Sequence, residues 1–80
     1  MKLFFIYQTQ HTGYDTYDSA VVAAPNDNAA RLINPSNGGA HEEWTDESWC
    51  TDPKYVVVEY LGKAAKHFKQ GIICASFNAR

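Results

Sequence analysis

Cysteine, clustered basic residues and long apolar runs are scarce in this chain, and each scarcity closes off a class of protein. Two cysteines in 80 residues are too few for the dense disulfide framework that staples most small secreted domains. Cys74 lies in an apolar run and is expected to be a buried free thiol. Cys50, between Trp49 and Thr51 in a polar segment, is expected to be partly exposed, and no bridge between the two is expected. Seven Lys and Arg against nine Asp and Glu leave a formal net charge of −2. That balance lacks the cation cluster a nucleic-acid binder needs, and it is too mild for a wholesale acidic DNA mimic. The apolar run Leu3–Tyr7 is too short for a signal-peptide core, and no small-residue cleavage site follows it. No stretch approaches the ~20 apolar residues of a membrane span. The pattern Asn34-Pro35-Ser36 is closed to glycosylation by its proline. These absences set the expected location as the cytoplasm.

Catalytic patterns are missing too. His41-Glu42-Glu43-Trp44-Thr45 opens like a zinc-protease signature, but that signature needs a second histidine where Thr45 stands, one helical turn on. His11, His41 and His67 are far apart and lack paired cysteine spacing, so no metal site is expected. No residue pattern pairs Cys50 or Cys74 with a base. No Gly-x-Ser-x-Gly elbow or glycine-rich phosphate loop occurs. The expectation is a protein that is not an enzyme and carries no cofactor.

What is present is globular. Apolar residues make up 45%, charged residues 20% and aromatics 14%, which places the chain far from the disordered class. A chain this short buries only about 60% of its unfolded surface, and large rings help it gain a core. Leu3–Thr9 and Tyr17–Ala24 read as strands. His11–Asp15 reads as the turn between them, with Gly13 free to take positive φ. Asn26 or Asp27 is placed to cap a helix of two to three turns, whose stripe is Ala29, Ala30, Leu32 and Ile33 and whose stop is Pro35. Residues 34–53 have no period and form a long, acidic, tryptophan-containing loop, with a short helical turn conceivable over His41–Ser48. Lys54–Leu61 and Gly71–Phe77 read as two further strands, joined by a basic connection. The expected fold class is α+β: one domain over residues 1–80, in the order β-β-α-loop-β-β, with a mostly antiparallel four-stranded sheet and one short helix on one face.

The strands do not alternate cleanly between apolar and polar, as a sheet covered on one side should. Leu3, Phe5 and Tyr7 point one way and Phe4 and Ile6 the other, so one short helix leaves a second greasy face. That face needs the loop tryptophans, a second copy of the chain or a partner protein. A homodimer is the expected solution. Glu42, Glu43, Asp46, Glu47 and Asp52 put five acids in one segment without a Lys or Arg, interleaved with Trp44 and Trp49. Such a patch fits a basic protein surface, with Trp as anchor and acids for steering. The competing arrangement folds the rings inward; it is preferred for Trp49 and stands level for Trp44. Lys63, Lys66 and Lys69 recur every third residue and read first as a solvated turn.

The strings Gly13-Tyr14-Asp15-Thr16-Tyr17-Asp18-Ser19-Ala20-Val21-Val22, Val58-Glu59-Tyr60-Leu61-Gly62 and Gly71-Ile72-Ile73-Cys74-Ala75-Ser76-Phe77-Asn78-Ala79 resemble, in that order, small bacteriophage and prophage proteins of about this length. The resemblance covers most of the chain and transfers no functional residue. It implies a phage-encoded accessory protein in the host cytoplasm. Such genes often encode inhibitors of host machinery or defence, anti-CRISPR proteins among them. Two functions follow as expectations. The first is a host-protein binder using Glu42, Glu43, Trp44, Asp46, Glu47 and Trp49. The alternative is a binder of a nucleotide-like ligand, with Tyr14 and Tyr17 stacking a base beside the tryptophans and Lys63, Lys66 or Lys69 meeting a phosphate. That alternative requires these groups to converge on one pocket.

Overall fold

The computed structural model describes residues 1–10, 13, 15–35, 49, 50 and 52–78. Four strands, β1 (Lys2–Tyr7), β2 (Thr16–Ala24), β3 (Val57–Lys63) and β4 (Gly71–Asn78), form one sheet with the helix α1 (Asp27–Arg31) against it. The strand order is β3-β1-β2-β4, and each neighbouring pair is antiparallel. This is the expected α+β architecture.

The hairpin of β1 and β2 is the centre of the sheet. Its register sets Phe4 opposite Val22 and Ile6 opposite Ala20, and β3 adds Tyr60 beside Phe4 and Val58 beside Ile6. Because side chains alternate across a strand, Phe4, Ile6, Ala20, Val22 and Ala24 share the helix-bearing face. There they pack with Ala30, Ile33, Trp49, Cys50 and Val56. Alanine at positions 20, 24 and 30 carries nothing beyond Cβ, so the helix can lie close to the sheet. Gln8 is buried at the end of β1, and its amide donates to the Tyr17 carbonyl at 2.9 Å. That bond stabilises the hairpin while satisfying a polar group away from water.

The helix begins as the sequence indicates. The Asn26 side chain accepts from the Ala29 N–H at 2.8 Å, and Asp27 and Arg31 suit the two ends of the dipole. It is shorter than expected. The Leu32 N–H bonds to Ala29 three residues back, a tightening typical of a helix end. Leu32 is then exposed while Ile33 turns into the core. Arg31 donates across to the Val56 carbonyl, tying the helix to the segment that enters β3.

Three further expectations are corrected. Lys54 and Tyr55 do not begin the third strand; Pro53–Tyr55 is one turn of 3-10 helix, capped by the Asp52 carboxylate accepting from the Lys54 N–H at 3.0 Å. The strand runs instead from Val57 to Lys63, with a bulge opposite the Leu3–Phe4 junction and Gly62 at φ 152°, a conformation open to glycine. In the first turn the positive φ falls on Asp15, at 61°, and not on Gly13; aspartate tolerates that region better than most residues. The cysteines are reversed. Neither forms a disulfide, but Cys50 is buried and Cys74 is exposed. Apolar neighbours made Cys74 look like core, yet it sits on an edge strand, opposite Val21 on the side away from the helix.

Candidate functional site

The β1–β2 register places Leu3, Phe5, Tyr7, Ser19, Val21 and Ala23 on the face opposite the helix, and of these Ala23 is fully buried. Val57 and Glu59 join it from β3, opposite Tyr7 and Phe5, and Cys74 and Ser76 join it from β4. No described helix covers this face. Phe5 and Tyr7 lie ring to ring at 5.5 Å. Leu3, Phe5, Tyr7 and Val21 are half-buried, and Val57, at 42%, is exposed. A shallow hollow of about 210 Å³ lies along it, lined in part by Phe5, Val21 and Cys74. Among the described residues the face is therefore mostly apolar, with Ser19 and Ser76 toward β4 and one acid, Glu59, set beside its aromatic pair.

The two edges differ. β3 carries Glu59 and Lys63, whereas the pairing of both edges with their inner neighbours is locally irregular. β4 reads Gly-Ile-Ile-Cys-Ala-Ser-Phe-Asn, with no charge and no proline. Ile73, Cys74, Ala75, Ser76 and Phe77 are all exposed. Phe77 rests against Tyr17 at 4.7 Å between centroids.

Of the candidate partner-binding residues, Trp49 is fully buried. Its ring belongs to the core, as the inward-folding arrangement requires, and offers no surface anchor. Its indole N–H has no hydrogen-bond partner among the described residues. Cys50 follows it into the core, where its thiol donates to the Asp52 carbonyl at 3.4 Å. Burial pushes the Cys50 thiol above its ordinary pKa, more than the hydrogen bonds to it offset. Glu42, Glu43, Trp44, Asp46 and Glu47 lie outside the described residues, as does the turn considered for His41–Ser48.

The described members of the nucleotide-site candidate do not converge. Tyr17 pairs near the Tyr7–Gln8 end of the hairpin, whereas Lys63 pairs with Lys2 at the other end. The length of β1, six residues, separates those ends by about 20 Å at ~3.3 Å per residue. Lys66 and Lys69 are exposed in the connection that crosses from β3 to β4 at the Lys2 end. Tyr14 lies outside the described residues. A different concavity, not anticipated from the sequence, lies between the helix start and the β1–β3 pair. It is a cleft of about 370 Å³ lined by Lys2, Phe4, Asn26, Asp27, Val58 and Tyr60. The Phe4 and Tyr60 rings meet edge to face there at 5.7 Å.

Among the described residues no cluster of His, Cys, Asp or Glu could hold a metal ion, and no helix is long and apolar enough to cross a membrane. The class defined by this fold is a small α+β protein with a one-sided antiparallel sheet. No protein-family model, no curated protein and no solved structure matches the chain.

Proposed function

We propose that this chain is a non-enzymatic binding protein that docks on another protein through the open face of its sheet. The observation that carries the proposal is that face: Leu3, Phe5, Tyr7, Val21 and Val57 form a continuous apolar surface with no described helix over it. Interfaces that bury such patches favour aromatic residues at the centre, and Phe5 and Tyr7 occupy that place. Glu59, opposite Phe5, selects the partner's chemistry. A partner with an apolar patch alone would leave that carboxylate desolvated and unpaired. The fitting partner presents an apolar patch bearing a Lys or Arg. The acidic residues of 42–52 would add long-range attraction toward the same kind of surface. The resemblance to small phage proteins supports a host protein as that partner, and inhibition of host machinery or defence as the outcome.

The test compares capture from bacterial lysate by the parent chain, Val57→Ser and Glu59→Lys, all checked for folding by circular dichroism. Both substitutions are at exposed positions and leave the core intact. One stoichiometric partner, held by the parent and lost by both variants, is the expected result. A partner held equally by all three, or none held across several hosts, overturns the proposal.

A further inference from the structure

The two edges of the sheet are unequal in a way that points to a second copy of the chain. An edge strand presents a row of unpaired N–H and C=O groups, and proteins guard such rows with charge, proline or bulges. β3 is guarded by the charges of Glu59 and Lys63. β4 has an irregularity at Ile73 in its pairing with β2, but neither charge nor proline over Gly71–Asn78, and residues 73–77 are exposed. We infer that β4 pairs antiparallel with β4 of a second copy across a two-fold axis, joining two four-stranded sheets into one of eight strands.

Self-pairing suits this strand. With no charged residue in Gly71–Asn78, no like charges meet within the paired strands. An axis through Ala75 sets Ile73 opposite the partner's Phe77 and Cys74 opposite the partner's Ser76. Cross-strand pairs of an aromatic with a β-branched residue stabilise a sheet, and the symmetry forms that pair twice. The residues nearest the axis, Cys74, Ala75 and Ser76, are small, so the backbones can approach to bonding distance. Tyr17 backs Phe77 from the neighbouring strand and extends the apolar contact. Stacking two open faces is the competing dimer, and it is the poorer one. It would bring Glu59 of both copies into an apolar interface, an unpaired buried charge that disfavours association. Edge pairing leaves both open faces free, so the inference goes beyond the proposed docking and does not depend on it.

Light scattering coupled to size exclusion, across a concentration series reaching tens of micromolar, reads the mass directly. The parent is expected at twice the 9.0 kDa chain mass. Ala75→Lys and Ser76→Lys each place a charge at the axis and are expected at the single-chain mass with an unchanged circular dichroism spectrum. Both sites are exposed, and the second variant serves if the first fails to fold. Glu59→Lys should remain a dimer. A parent that stays at 9.0 kDa throughout the series overturns the inference. A doubled mass that survives the lysine substitutions on β4 overturns it as well.

Discussion

Replacing Trp49 by alanine tests the core at its largest member. The side chain is fully buried among Ile6, Val22, Ile33 and Val56 in one cluster. Truncating a buried tryptophan to alanine typically costs about 3–5 kcal/mol, from lost transfer energy and the cavity left behind. A chain of 80 residues holds roughly 4–12 kcal/mol of total stability, at ~0.05–0.15 kcal/mol per residue. The substitution therefore removes a large share and leaves the domain near the limit of folding. Trp49→Phe provides the internal comparison. It keeps a ring and removes an indole N–H that has no partner among the described residues. Relief of an unsatisfied donor is worth about 1–3 kcal/mol and offsets part of the lost volume, so this variant should cost less than about 2 kcal/mol. Urea denaturation followed by far-ultraviolet circular dichroism measures both, and avoids the fluorescence of Trp44. With a slope near 1 kcal/mol per molar urea, the alanine midpoint should fall by about 3 M or the protein should be unfolded in buffer. A shift below about 0.5 M at unchanged slope would refute the burial of Trp49 and return its ring to the surface.

Three smaller perturbations follow. Asn26→Ala removes the cap on Ala29 and should cost about 1 kcal/mol in the same urea assay, with Asn26→Asp close to the parent. A thiol reagent applied to the native protein should label Cys74 quickly and Cys50 only on unfolding, because one is exposed and the other buried; equal rates would contradict that placement. The raised pKa of Cys50 gives stability a sign above neutral pH. The folded thiol keeps its proton where the unfolded one, near pKa ~8.5, has lost it, so stability falls as pH rises through that value and levels off above the folded pKa. The stability difference between the parent and Cys50→Ala, followed from pH 7 to 10, should narrow with rising pH, and a constant difference would contradict the shift.

The local features of this fold were legible because local chemistry decides them. The hairpin followed from two apolar runs around a turn, and the helix start from Asn26 and Asp27 ahead of an alanine pair. Features that failed were those set by distant pairing. The neighbours of Cys74 showed that it lies in a strand, but only the strand order showed that the strand is an edge without cover. Tyr55 has the composition of a strand, yet Asp52 and Pro53 begin a capped turn that takes it out of the sheet. Leu32 fits the helical stripe, but the helix ends beneath it. The open face was visible in outline, since Leu3, Phe5 and Tyr7 alternate with Phe4 and Ile6. The position of Glu59 within it was not, because that depends on the β1–β3 register. Convergence of Tyr17 with Lys63, Lys66 and Lys69 depends on the third dimension, and the strand pairing sets Tyr17 at one end of the sheet and the lysines at the other.

The central claim is that, among the described residues, a helix covers one side of the sheet and none covers the other, and methyl NMR with a soluble paramagnetic agent tests it most directly. Val21 and Val57 on the open face should relax strongly in proportion to the agent, while Ile6, Val22, Ile33 and Val56 should be nearly unaffected. Equal protection of Val21, Val57 and Val22 in the isolated protein would contradict the account.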